Sequence, residues 1–285
     1  MEKGQTPPKF GVRGIVEISM GQKKFRIPPG GIIPGFPEFW QKSYNAFPRF
    51  FEATEHLIPL VNDILKEPVS DQLPRLLHYM TAIISNSLGS LITLSLNGYG
   101  HDAIRISRGM FEISVNGAYL AKNPTEVEDF VDYHWINQRK LLDYMREDDP
   151  ALFRQLKQSD IDDIDQEYAK VAPRFFNKKG DVRSGWCARN LRQRAEAVGM
   201  GRFYPTFYAF ASSIHHGDFT GLASQISAGK FVAHVAPSLF AVKDALIMGH
   251  QSILVIISNF NEIAKFGLDA EIQAAAEAFT KAWDR

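Results

Sequence analysis

From position 37 onward, apolar residues recur every three to four positions, the spacing of helices that bury one face. The pattern predicts helices over 39–65, ending before Glu67 and Pro68, and over 73–96, closed by Asn97 and Gly98. A third, capped by Asp102, runs to about Leu120, and a fourth starts at Thr125 and reaches Met145. Residues 151–170 form a charged helix or helix pair with a cap near Ser159 to Asp162. Short helices over 190–198 and 204–216 end at Gly199 and Gly217, and longer ones over 239–266 and 269–283 finish the chain.

Upstream the period changes. Val12, Val16 and Ile18, then Phe25 and Ile27, flank Ser19, Met20, Gly21 and Gln22, a hairpin signal. Residues 28–37 hold four prolines and three glycines, which excludes helix and strand alike. The expected fold is all-α: a helical bundle with an N-terminal β-hairpin appendage. Residues 1–36 are the hairpin and its Pro/Gly linker. Residues 37–285 are a single helical domain, with 146–203 a more polar, cap-like section.

Residues 76–100 contain no Asp, Glu, Lys or Arg, a run long enough to raise the question of a membrane span. Its interspersed Thr81, Ser85, Asn86, Ser87, Ser90, Thr93 and Ser95, with no flanking basic or aromatic girdle on both sides, favour a buried helix of a soluble bundle. The first eight residues lack the apolar core of a secretory signal, so the expectation is a cytoplasmic protein with no membrane partner. The run over 245–261, interrupted by His250 and Gln251, reads the same way.

Charge narrows the classes. Lys+Arg 32 balances Asp+Glu 32, which removes the simplest argument for nucleic-acid binding and leaves 183–202 as the place for a local basic patch. The single cysteine, Cys187, excludes intrachain disulfides and cysteine-based zinc sites. There is no Glu-x-x-His, no His-Glu-x-x-His, no phosphate-binding P-loop, no Gly-x-Gly-x-x-Gly and no Gly-x-Ser-x-Gly, so neither a metal nor a cofactor is expected.

Two constellations carry candidate chemistry. Arg105, Arg108 and Glu112 stand at i, i+3 and i+7, on one helix face. They read either as a bidentate anion site or as an Arg108–Glu112 pair with Asp102 supporting Arg105. Tyr208, Ser212 and His215 share a second face, with His216 four residues after Ser212. They read either as a histidine acid or base with hydroxyl partners, or as histidines meeting the last carbonyls of a helix. A third group, Asp132 to Trp135 with Gln138, Arg139 and Lys140, reads as a half-exposed helix whose Trp135 packs inward.

The order of these parts resembles a bacterial all-helical family of unknown function, in which an apolar helix leads into an Arg-x-x-Arg-x-x-x-Glu helix and a later helix carries Ser-x-x-His. The matching positions are Arg105, Arg108 and Glu112, then Ser212 and His215, or Ser213 and His216. The arrangement is also distantly similar to HEPN domains, many of which are metal-independent ribonucleases of stress responses and phage defence. The Arg-to-His spacing of that nuclease pattern is missing at His215 and His216, so an arginine must meet them across helices.

Two functions follow, beside a third reading in which the Arg/Glu cluster is purely structural and the function lies elsewhere on the surface. One is a binding or assembly module of a stress or defence system that recognises a nucleotide, RNA or protein partner and forms homo-oligomers through the hairpin. The other is an endoribonuclease-like phosphodiesterase in which His215 or His216 deprotonates a 2′-hydroxyl while Arg105 and Arg108 stabilise the phosphorane.

Overall fold

The computed structural model describes residues 16–20, 23–27, 37–223 and 237–283, and from Pro37 on its regular elements are all helical. The helices are α1 (Pro37–Ala46), α2 (Pro48–Lys66), α3 (Gln72–Leu96), α4 (Gly100–Lys122), α5 (Val127–Asp148) and α6 (Pro150–Phe153). They continue as α7 (Gln158–Val171), α8 (Leu191–Ala197), α9 (Ala209–His216), α10 (Phe219–Ala223), α11 (Val242–Ala264) and α12 (Asp269–Trp283). The hairpin expected over 10–27 falls partly outside the described residues, as do its turn and the linker over 28–36. What is described there is one antiparallel pairing, Val16–Met20 with Lys23–Ile27, and it is no layer of the fold.

Helix α11 is the centre. Its middle carries no charge, and Leu246, Ile247, Ile253, Ile256, Ile257 and Phe260 are all buried. Helices α4 and α3 cover one side of it, and α2 and α12 the other. Helices α8 and α9 then pack on α4, while α5 carries α6 and α7. One helix of the described residues, Gln72–Leu96, is long and apolar enough to cross a membrane. Its Leu77, Ile84, Leu88 and Leu91 pack into the core, and the hydroxyls of Ser87, Ser90 and Thr93 bond carbonyls one turn back. Self-satisfied hydroxyls let a half-exposed helix do without charge.

The boundaries differ from the sequence pattern where local chemistry intervenes. The helix expected over 39–65 breaks at Phe47 because Pro48 lacks an N–H and starts a new helix at its first turn. Helix α4 begins at Gly100 rather than after Asp102, because Tyr99 already donates its N–H to the Leu94 carbonyl and ends the preceding turn. Thr125 does not cap: a 3-10 turn over Pro124–Glu126 precedes α5. Elsewhere side chains tie the ends. Trp40 Nε1 donates to Asn97 Oδ1 at 2.6 Å and Ser43 Oγ to the Ser95 carbonyl at 2.7 Å, fastening α1 to the end of α3.

Gly100 is where this joint admits no side chain. A Cβ there would lie 1.8 Å from the Phe240 carbonyl oxygen and 2.8 Å from the Val242 nitrogen, both backbone atoms. Gly109 on the same helix has nothing within 4 Å of a Cβ. Gly100→Ala is therefore expected to destabilise the protein by about 2–4 kcal/mol, the scale of overpacking against unyielding atoms. Gly109→Ala should stabilise it by about 0.5–1 kcal/mol through helix propensity. Urea unfolding of the two variants measures both, and equal effects would contradict the packing.

His250 is the one buried imidazole of α11, with Nδ1 2.8 Å from the Leu246 carbonyl and Nε2 2.8 Å from Thr54 Oγ1. Burial pushes it down from 6.5 to about 4, so it stays neutral in the folded protein. The unfolded chain takes up this proton below about pH 6.5 and the folded chain only near 4. Stability should thus fall as pH drops through that window, by about 3 kcal/mol from this group. Comparing unfolding free energies of wild type and His250→Gln from pH 7 to 4 isolates the contribution; parallel curves would refute it.

Candidate functional site

Helix α4 packs its buried positions, among them Ile104, Ser107, Phe111 and Val115, into the bundle. That leaves Arg105, Arg108 and Glu112 on its flank, facing the segment that leads into α9. This segment, Tyr204–Tyr208, is a π-helical turn entered through Pro205. Such turns widen a helix locally and re-aim side chains. Here the re-aimed side chain is Tyr208, buried and stacked on Tyr204 with ring centroids 4.8 Å apart.

The phenol of Tyr208 closes a triangle with the α4 flank. Its Oη donates to Glu112 Oε1 at 2.9 Å and accepts from Arg108 Nη2 at 3.1 Å. Arg108 Nη2 also meets Glu112 Oε1 at 3.0 Å, and the guanidinium lies 5.2 Å over the Tyr208 ring. Burial, and the bond to the Glu112 carboxylate, push the phenol up to about 12. Tyr208 is thus a proton donor held in place, not a base. With 19% of its side chain exposed, Arg108 is enclosed, and its buried Nε has no partner.

Arg105 is tied separately. Its Nη1 holds Asp102 Oδ1 at 2.6 Å and its Nη2 reaches the Ile214 carbonyl at 3.4 Å. Each arginine of the motif therefore already has a carboxylate.

The α9 residues divide. Ala211 and Ile214 form the buried stripe, while His215 and His216 are exposed in the last turn, their rings 5.1 Å apart. Gly217, at φ 65, terminates the helix, and Asp218 donates its N–H to the Ser213 carbonyl. Ser213 Oγ donates to Asp218 Oδ1 at 2.6 Å. Among the described residues the Ser212 hydroxyl has no hydrogen-bond partner, and no hydrogen bond or ring contact joins Arg105 or Arg108 to His215 or His216. The structure brings Arg108, Glu112 and Tyr208 together and leaves Ser212, His215 and His216 outside that cluster. His101, at the head of the same motif, stacks on Phe240 at 4.9 Å and is held below its usual range by burial and by Arg105.

In the third group, Tyr133 Oη donates to the Arg183 carbonyl at 2.7 Å and Arg139 bridges Asp143 and Asp165, joining α5 to α7. Arg174 holds Asp132 in the same way. His134 is exposed. Among the described residues no three His, Cys, Asp or Glu side chains gather as a metal site.

One concavity was not foreseen from the pattern: a cleft of about 510 Å³ that carries Lys122, Arg202, Gln251 and Asn259. Its walls come from α4, the turn after α8, α11 and α12, so no single stretch of sequence announces it.

Fold and cluster together define an all-helical protein in which an arginine–glutamate helix is cross-linked to a later helix by a buried tyrosine. Residues 75–230, more than half of the chain, match a family of unknown function (DUF5677), and the chain belongs to that family. The match runs from α3 through α10 and so includes both helices of the cluster. No curated protein and no solved structure matches the chain.

The triangle predicts a structural effect. Tyr208→Phe keeps the ring and removes the hydroxyl that joins Arg108 to Glu112, at an expected cost of about 1–2 kcal/mol. Arg108→Ala should cost more, because it leaves Glu112 half-buried without its cation. Chemical denaturation ranks the two; the reverse order would mean that the ion pair adds nothing.

Proposed function

We propose that the protein is a non-catalytic binding module that recognises a nucleotide or protein partner. One observation carries this reading: both arginines of the conspicuous motif are already neutralised, Arg108 by Glu112 and Arg105 by Asp102, and a phenol seals the first pair. A site built to stabilise a phosphorane needs guanidiniums aimed at a vacant position. The setting in bacterial stress or phage defence belongs to the same proposal and leans on the resemblance to HEPN domains alone.

The second reading is a metal-independent ribonuclease, and a different observation favours it. Arg105 reaches the Ile214 carbonyl, one residue before His215, so a cation and two exposed imidazoles occupy the same end of α9. In that reading His215 or His216 acts as the base and Arg105 assists the phosphate.

The full-length protein, with chelator present, is to be incubated with single-stranded and structured RNA beside an Arg105→Ala/His215→Ala/His216→Ala variant. All three positions are exposed or half-exposed, so the variant should fold. The binding-module reading expects both RNAs intact with either protein. Cleavage by wild type and not by the variant would replace it with the nuclease.

A further inference from the structure

We propose that the cleft between α4, α11 and α12 is a mononucleotide site, with the phosphate at Lys122 and Arg202. The inference rests on the binding-module reading and gives it a place and a ligand class. None of the residues lining the cleft is acidic. Lys122, in the last turn of α4, makes one long contact, Nζ to the Ala197 carbonyl at 3.4 Å. Arg202 has no carboxylate partner among the described residues, and its guanidinium lies 4.9 Å over Phe203 and 5.6 Å over Trp283. Stacking pre-orders the guanidinium while leaving its charge unneutralised. The C-terminal turns of α4, α8 and α12 also border the cleft. They contribute about half a negative charge each, against two full positive charges, so the balance favours an anion.

The rest of the lining asks for more than inorganic phosphate. Leu254, Val255 and Trp283 supply an apolar wall, and the volume of about 510 Å³ lies within the usual range of ligand pockets, about 300–1,000 Å³. Asn259 Nδ2 is engaged with the Val255 carbonyl at 2.8 Å and Thr280 Oγ1 with the Ala276 carbonyl at 2.9 Å. Both keep acceptor oxygens that these bonds do not use. The Gln251 side chain has no hydrogen bond among the described residues, which leaves its amide oxygen and nitrogen for a ligand. Fixed acceptors match sugar hydroxyls and exocyclic amines, the cations match a phosphate, and the apolar wall matches a base. A mononucleotide carries all three.

Titration calorimetry of the full chain with AMP, GMP, CMP, UMP and inorganic phosphate tests this. At least one mononucleotide should bind more tightly than phosphate, and binding should weaken with salt. Arg202→Gln and Lys122→Gln, both at exposed positions, should each weaken it about tenfold, the scale of one charge-assisted hydrogen bond. Arg192→Gln, on an exposed arginine outside the cleft, should leave it unchanged. No binding of any mononucleotide at millimolar concentration overturns the proposal, as does affinity unaltered in the two cleft variants. Binding of a short single-stranded RNA without binding of mononucleotides also overturns it. If nucleotides fail while RNA remains intact, the cleft assignment falls alone. If RNA is cleaved and nucleotides still bind at the cleft, the non-catalytic reading falls and the site stands.

Discussion

The fold depends on the enclosure of α11. A helix without charge through its middle must be covered on nearly every side, and α3 and α4 supply one flank of that cover. Once α4 is committed to α11 on one side and to α8 and α9 on another, its Arg108 and Glu112 are left on a narrow, half-buried flank. An arginine there must find a partner, since an unpaired charge in such a place costs several kcal/mol. Arg108, Glu112 and Tyr208 are the solution, and the π turn before α9 is what brings the phenol into range. The ion cluster is a consequence of how the core is covered.

The helical class is legible because the apolar period persists across most of the chain and Gly217 and the prolines punctuate it. Helices α3, α11 and α12 stand close to where that period puts them. The errors have local causes. Pro48 divides one expected helix, the Tyr99 amide moves the start of α4, and Glu126 takes over where Thr125 was expected to cap. In each case the presence or absence of a backbone N–H donor, which periodicity does not register, goes with the boundary.

The site was legible on α4 and obscure on α9, for a physical reason. Arg108 and Glu112 are four apart on one helix, so their meeting needs only helical geometry. The meeting of Tyr208 with them depends on a π turn and on how α9 crosses α4, and neither is written in local spacing. Ser212 and His215 share a face with Tyr208 on an ideal helix. That face is the flank of the buried stripe, and only a long ring placed early in the segment reaches α4 from it. Position in the last turn leaves the two histidines in solvent.

The balanced total charge conceals how differently the cations are employed. Between 172 and 203 there are eight Lys and Arg against two Asp and Glu. Arg183, Arg189, Arg194 and Arg202 each lie over an aromatic ring, and none has a carboxylate partner among the described residues. Arg183 and Arg194 donate instead to main-chain carbonyls of the irregular stretch between α7 and α8, which fixes that stretch without neutralising it. The motif that stands out in the sequence is thus electrically closed, while scattered arginines that form no motif retain their charge. Of these four, Arg202 lines the α4–α11–α12 cleft. The Arg-x-x-Arg-x-x-x-Glu helix thus spends its charge on contacts within the bundle, Arg108 with Glu112 and Arg105 with Asp102.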